Sequence, residues 1–90
     1  MAIARPKTTY IDDRQLTLKE LQGLVGGYIQ LVEINNGKEK THIIMDEEGK
    51  LKGKPVNEEA TKIWADWYGR QLPDEVVGDA VILTKKALLK

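Results

Sequence analysis

The chain has 90 residues, enough for one domain, and its 41% hydrophobic and 31% charged residues are the composition of an ordinary globular protein. Fourteen basic residues balance fourteen acidic ones, which argues against a protein held to nucleic acid or to an anionic membrane by net charge. The chain has no cysteine, which excludes disulfides and thiol chemistry, and no apolar run approaches the roughly 20 residues of a membrane-spanning helix. We therefore expect one domain over residues 1–90, located in the cytoplasm, with loose termini at 1–6 and 86–90.

The first predicted elements are a short strand and a helix with clear start and stop signals. Residues 8–11 are β-branched and aromatic, as is typical of a strand. Thr17 and Glu20 have the spacing of a capping box, which predicts that the first helix begins here. Gly26 stands where a glycine ends a helix in the left-handed conformation, and Gly27 leads into the next strand. Because phosphate-binding loops run from strand into helix, we interpret both glycines as structural.

The middle of the chain predicts two strands joined by a tight turn. Residues 28–34 are almost continuously apolar, which favours a central position in the sheet. The Asn-Asn-Gly sequence at 35–37 predicts a hairpin turn, and residues 40–46 form the returning strand. His42, the only histidine, is expected to face solvent or to be lightly packed.

The second helix and the last strand complete the predicted elements. Asn57 is a good N-cap, Gly69 can end the helix, and residues 80–84 have the character of a buried strand. Trp64 and Trp67 lie at the centre of the apolar stripe of the helix, so we predict that both belong to the core. That stripe consists of Ala60, Ile63, Trp64, Trp67 and Tyr68.

The order β-α-β-β-α-β predicts an α+β fold. Its simplest packing is a small, mostly antiparallel sheet with two helices on one face, as in ferredoxin-like folds or a reduced variant of them. An exposed edge of such a sheet can pair with a second copy of the chain, so the sequence is compatible with a homo-oligomer.

No group of side chains predicts a catalytic site, a metal site or a cofactor. The carboxylates occur mostly as adjacent pairs, which point apart on a strand and diverge on a helix, so they do not converge on one proton or one metal ion. The best binding candidates are Lys50, Lys52 and Lys54, which alternate just ahead of the helix start at Asn57, where free backbone N–H groups favour an anion. The other interpretation is a solvated loop, which the flanking acidic residues favour.

Three segments together resemble a known family. Residues 21–32, with Leu-Val-Gly-Gly-Tyr-Ile at their centre, residues 46–61 and residues 77–83 are similar to Domain of Unknown Function 3846. That family is common in phage genomes and in bacterial mobile elements. The resemblance, from Leu16 to Leu83, implies a compact α+β domain of phage or bacterial origin and implies no activity.

We therefore expect an uncharacterised, small, phage-type accessory protein that is not an enzyme and that binds a host protein or a small ligand. The localisation would then be the host cytoplasm. The alternative is a weak nucleic-acid or nucleotide binder that uses the lysine loop at 50–57.

Overall fold

The elements follow one another in the predicted order in the computed structural model, which describes residues 5–35, 39–68 and 74–89. The strands β1 to β4 are Thr8–Ile11, Ile29–Asn35, Lys40–Asp46 and Ala80–Thr84. The helices α1 and α2 are Leu18–Val25 and Glu58–Tyr68, and a short 3-10 helix at Lys85–Ala87 follows β4. The α+β class is confirmed. The predicted turn at 35–37 and the predicted helix end at Gly69 extend beyond the described residues.

The four strands form one mixed sheet in the order β1-β4-β3-β2. β1 pairs with β4 in parallel, whereas the other two pairings are antiparallel, as expected of a mostly antiparallel sheet. The prediction that the strand at 28–34 is central was wrong, because β2 lies at an edge. Its apolar residues belong to two different faces, and Gln30, Leu31 and Glu33 are exposed between them.

The two helices cover opposite faces of the sheet, which corrects the expected arrangement with both helices on one face. Along β4, Val81 and Leu83 pack in a cluster with α1, whereas Ala80 and Ile82 pack in a cluster with α2. The reason is the continuous apolar run of β4, because a strand that is buried on both sides needs a cover on each. The α1 cluster is formed by Leu16, Leu21, Val25, Ile44, Val81, Leu83 and Ala87, and the α2 cluster by Ile34, Ile43, Met45, Ala60, Val76, Ala80 and Ile82.

Helix α1 begins and ends where its capping signals predict. The Glu20 N–H donates to Thr17 Oγ1 and the Thr17 N–H donates to Glu20 Oε1, both at 3.1 Å, which completes the capping box. Gly26 ends the helix with φ of 80°, in the left-handed region. In the described part of the chain, neither helix is long and apolar enough to cross a membrane.

The conformation of Gly26 leads to a stability prediction with an internal control. Gly26→Ala should lower the free energy of unfolding by about 1 kcal/mol, because an L-residue is strained at positive φ. Gly23→Ala, inside the same helix, should raise it by about 0.5–1 kcal/mol, because no atom crowds the position and alanine is the better helix former. Urea denaturation measures both variants, and equal effects would show that the helix does not depend on a glycine at position 26.

The two tryptophans of α2 occupy different environments. Trp64 is partly buried and packs against the α2 cluster. Trp67 is 39% exposed, so its predicted place in the core was wrong. Its indole Nε1–H donates to the carbonyl of Asn35 at 2.9 Å, at the end of β2. Trp67 lies at the rim of the helix stripe, where the indole joins the helix to the sheet edge.

The segment after β4 packs onto the domain, which corrects the expected loose terminus as far as residue 89. Ala87 is fully buried, and the Gln15 side chain donates to the Lys86 carbonyl at 3.1 Å. The Leu89 N–H donates to His42 Nδ1 at 3.0 Å. His42 is only 4% exposed, so the expectation of a solvent-facing or lightly packed histidine was also wrong. The segment after β4 therefore contributes to the burial of His42.

Candidate functional site

The loop after β3 is fastened to the end of α1 by an ion-paired cluster, here called the Asp46 latch. The Asp46 carboxylate is buried and lies 2.8 Å from Lys52 Nζ and 2.7 Å from Lys54 Nζ. The same two ammonium groups donate to helix-end carbonyls, Lys54 to Val25 at 2.8 Å and Lys52 to Gly26 at 3.1 Å. Positive charge at a helix C-terminus is favourable. The two lysines therefore supply donors to the last carbonyls of α1 and neutralise the buried Asp46 carboxylate at the same time.

The electrostatics of the latch are set by opposing effects on one carboxyl group. Burial raises the pKa of Asp46, but the hydrogen bonds from Lys52, Lys54 and the Glu48 N–H outweigh it and hold the pKa at about 2, below the ordinary 3.8. The Glu48 N–H contributes at 2.8 Å. The carboxylate therefore stays ionised in the folded protein at neutral pH.

Gly27 leaves room for the latch. A Cβ atom at this position would lie 2.6 Å from Lys52 Nζ and 2.8 and 2.9 Å from the Asp46 carboxylate oxygens. Real Cβ contacts are not that short, so the close approach of the latch requires glycine. The helix-to-strand junction thus needs Gly26 for its backbone conformation and Gly27 for space.

The third lysine of the loop also has an acidic partner. Lys50 Nζ is ion-paired with the carboxylate of Asp74, and both side chains are largely exposed. Every lysine at 50, 52 and 54 therefore has a carboxylate beside it. This neutralisation weakens the positive field that an anion would meet at the loop.

Asn57 joins three parts of the fold through four hydrogen bonds. Its Oδ1 accepts from the Ala60 N–H at 3.0 Å, which confirms the predicted N-cap of α2, and from the Thr8 hydroxyl at 3.1 Å. Its Nδ2 donates to the Gly78 carbonyl at 3.1 Å, and its N–H donates to the Val76 carbonyl at 2.7 Å. The side chain is buried, so Asn57 holds the start of α2 against β1 and the segment before β4.

An open groove of about 510 Å³ lies at the start of α2. A second depression of about 190 Å³ shares one wall with it and extends the surface to Lys54 and Asp79. The Tyr10 hydroxyl donates to the Glu59 carboxylate, and this bond, burial and the nearby negative charge raise the pKa of Tyr10 to about 12. The groove is lined by Arg5, Pro6, Pro55, Val56, Asn57, Glu58 and Glu59.

Comparison with known proteins assigns the chain to a family. The domain of unknown function DUF3846 matches residues 1–87. The chain belongs to this family. No curated protein and no solved structure matches it. The family description names no activity, so the interpretation of this DUF3846 domain depends on its own geometry.

The structure brings only part of the predicted binding set to the groove. Asn57 lines it, and Lys54 lines the adjoining depression, whereas Lys50 and Lys52 lie elsewhere in their ion pairs. Within the described part of this DUF3846 domain, no three His, Cys, Asp or Glu side chains are grouped so that they could hold a metal ion.

Sequence reasoning missed the residues that shape this region, namely Asp46 and Arg5. A signal for Asp46 was available, because it is an acid at the end of a strand whose preceding residues are apolar and buried. The loop that follows carries lysines six and eight positions after Asp46, and these lysines make Asp46 a candidate for an ion pair. Arg5 had no such signal, because only the folded chain brings it to the start of α2.

Proposed function

We propose that this DUF3846 domain is a small accessory protein of phage type, without a catalytic role, that acts in the host cytoplasm by binding a host protein or a small ligand. The groove at the start of α2 is the proposed contact surface. Its volume of about 510 Å³ supports this, because ligand pockets commonly measure about 300–1,000 Å³.

The wall of the groove is anchored in a way that suits recognition. Asn57 is tied to Thr8, Ala60 and Gly78, so the backbone of the groove is held in place before a partner arrives. A preorganised surface loses less conformational entropy on binding, which favours affinity.

The charges of the groove suggest the chemistry of its partner. Arg5 and Glu58 line the same space, and in the described part of the chain neither forms an ion pair with another residue. Opposite charges beside the apolar side chains of Pro6, Pro55 and Val56 suit a group that carries both an amine and an acid. Such a group can be a free amphoteric small molecule or a pair of side chains on a host protein.

A binding screen tests this proposal. Thermal-shift and NMR titrations with amphoteric small molecules, together with a pull-down from host lysate, should find a partner that perturbs the amides of residues 55–59. Arg5→Gln and Glu58→Gln should each weaken that binding at least tenfold, which corresponds to losing about 1.4 kcal/mol. Asp66→Asn, an exposed change on α2 outside the groove, is the matched control.

Two results would contradict the proposed function. One is the absence of any partner in both the ligand screen and the pull-down. The other is a partner whose affinity is the same for Arg5→Gln, Glu58→Gln and the control, because that partner would bind outside the groove.

The alternative of a nucleic-acid or nucleotide binder has less geometric support. Lys50, Lys52 and Lys54 each lie beside a carboxylate, and Lys52 and Lys54 also donate to the end of α1. Binding to phosphates would have to compete with these internal bonds. A mobility shift at low salt that weakens steeply with added salt would favour this alternative.

A further inference from the structure

The two edges of the sheet differ in how they are protected. Proteins protect edge strands with short length, proline and charged residues, because an open edge pairs with other chains. The β1 edge has all of these: four residues preceded by Pro6 and Lys7 and followed by two aspartates. The β2 edge has seven residues, no proline or lysine, and Glu33 as its only charged side chain. Among the residues that the structure describes, no further strand pairs with the outer side of β2, so this edge is the one left open to pairing.

The register of β2 shows which backbone groups point outward. The Glu47 N–H donates to the Tyr28 carbonyl at 2.8 Å, and hydrogen-bonded pairs alternate along an antiparallel ladder. The backbone groups of every second residue from Tyr28 therefore face β3, and those of the residues between them face away from the sheet. The inward set is Tyr28, Gln30, Val32 and Ile34, and the outward set is Ile29, Leu31, Glu33 and Asn35.

One end of the outward row is already occupied. The Asn35 carbonyl accepts the indole N–H of Trp67, which agrees with its outward direction and places the indole where a further strand would have to bond. The row open to a new strand therefore extends from Ile29 to Glu33. Leu31 is at its centre, and its side chain is 43% exposed on the α1 side of the sheet.

We propose that β2 pairs antiparallel with β2 of a second copy of this chain, about a two-fold axis at Leu31. The outward N–H and C=O groups of an edge strand can form hydrogen bonds with another extended strand. Across a two-fold axis, that second strand can be the same strand of a second copy. Leu31 then lies opposite Leu31 of the second copy, and Ile29 lies opposite its Glu33. The result is one continuous sheet of eight strands in which the two half-exposed leucines cover each other.

The position of the axis follows from the same residues. An axis at Val32 would need the Asn35 carbonyl that Trp67 occupies, and an axis at Glu33 would place two carboxylates opposite each other. An axis at Gln30 pairs only Ile29 and Leu31 and leaves the Glu33 backbone groups unpaired. Only the axis at Leu31 uses all three open residues of both strands.

The proposed pairing leaves the groove free. Asn57 of the groove bonds to Thr8 of β1, which is the strand at the opposite edge of the sheet. The dimer therefore does not depend on the partner proposed for the groove, and the two proposals can fail separately.

Sedimentation of matched leucine variants tests the pairing. The unchanged chain should show a concentration-dependent dimer, and Leu31→Lys should weaken dimerisation at least tenfold because two ammonium groups would meet at the axis. Leu51→Lys makes the same change at a loop residue that is 86% exposed and should dimerise like the unchanged chain. A chain that sediments as a monomer at all concentrations up to about 1 mM, or equal weakening by both variants, would overturn the proposal.

Disulfide trapping tests the axis itself. The chain has no cysteine, so Leu31→Cys introduces a single thiol. Hydrogen-bonded residues on antiparallel strands have Cα atoms about 5.5 Å apart, within the range that a disulfide spans. Oxidation should crosslink Leu31→Cys rapidly and should crosslink Leu51→Cys and Glu33→Cys slowly. Crosslinking that is equally fast at all three positions, or fastest at position 33 or 51, would contradict the axis at Leu31.

Discussion

Replacing Asp46 with asparagine should lower the free energy of unfolding at pH 7 by about 2–3 kcal/mol, one of the two largest effects that we expect in this domain. The side chain keeps its shape but loses the charge that two lysines need. Lys52 and Lys54 would then lie beside each other at the end of α1 without an anion, and removing one member of a buried ion pair is costly. Urea denaturation of the variant measures the loss.

An exposed ion pair of the same loop is the matched control. Asp74→Asn removes the partner of Lys50, but both of those side chains are largely exposed. Exposed pairs contribute about 0–1 kcal/mol, so this variant should be close to the unchanged protein. If Asp46→Asn cost no more than Asp74→Asn, the latch would have no stabilising role.

The latch should also affect acid stability. Because the pKa of Asp46 is about 2 in the folded protein and 3.8 in its ordinary state, the ionised group stabilises the fold above about pH 4. That contribution is lost as the pH falls from about 4 to about 2. Asp46→Asn should lack this part of the acid dependence, whereas Asp74→Asn should retain it. Free energies of unfolding measured between pH 2 and pH 6 make the comparison.

Replacing Asn57 with alanine should lower the free energy of unfolding by about 2–4 kcal/mol. The variant loses the N-cap of α2, which by itself is worth about 1 kcal/mol. It also leaves the Gly78 carbonyl without its donor and the Thr8 hydroxyl without its acceptor, and unpaired polar groups in a buried site are costly. Denaturation in urea gives the size of the effect.

A variant of the exposed cap of α1 separates the contribution of capping from that of the Asn57 bonds to Thr8 and Gly78. Thr17→Ala removes a capping box at an exposed site and should cost about 1 kcal/mol. Asn57→Asp keeps the cap oxygen but cannot donate to Gly78, so its loss should lie between those of the two alanine variants. A cost for Asn57→Ala equal to that of Thr17→Ala would mean that the bonds to Thr8 and Gly78 contribute nothing.

Local signals were read correctly because the physics behind them is local. The capping box at Thr17, the left-handed glycine at position 26 and the cap at Asn57 each depend on atoms within a few residues. The strands β1, β3 and β4 occupy the predicted residues for the same reason, since alternation and β-branching act along the strand.

The candidate site was predicted only in part. The sequence predicted Lys52 and Lys54 as binding candidates. In the folded chain both lysines form ion pairs with Asp46 and donate hydrogen bonds to the end of α1. Charge patterns along a sequence do not show which carboxylate will lie within 3 Å of which lysine. The groove, with Arg5 opposite the start of α2, likewise requires two segments some fifty residues apart to meet.

By itself, the sequence determined the α+β class, the order of the elements, both ends of α1 and the start of α2, because hydrophobic period and capping are properties of short segments. The tertiary structure alone decided that α1 and α2 cover opposite faces, that β2 is an edge, and that His42 and the segment 86–89 are packed. These outcomes depend on how strands far apart in the chain pair. β4 inserts between β1 and β3, and a strand with two buried faces then requires a helix on each side.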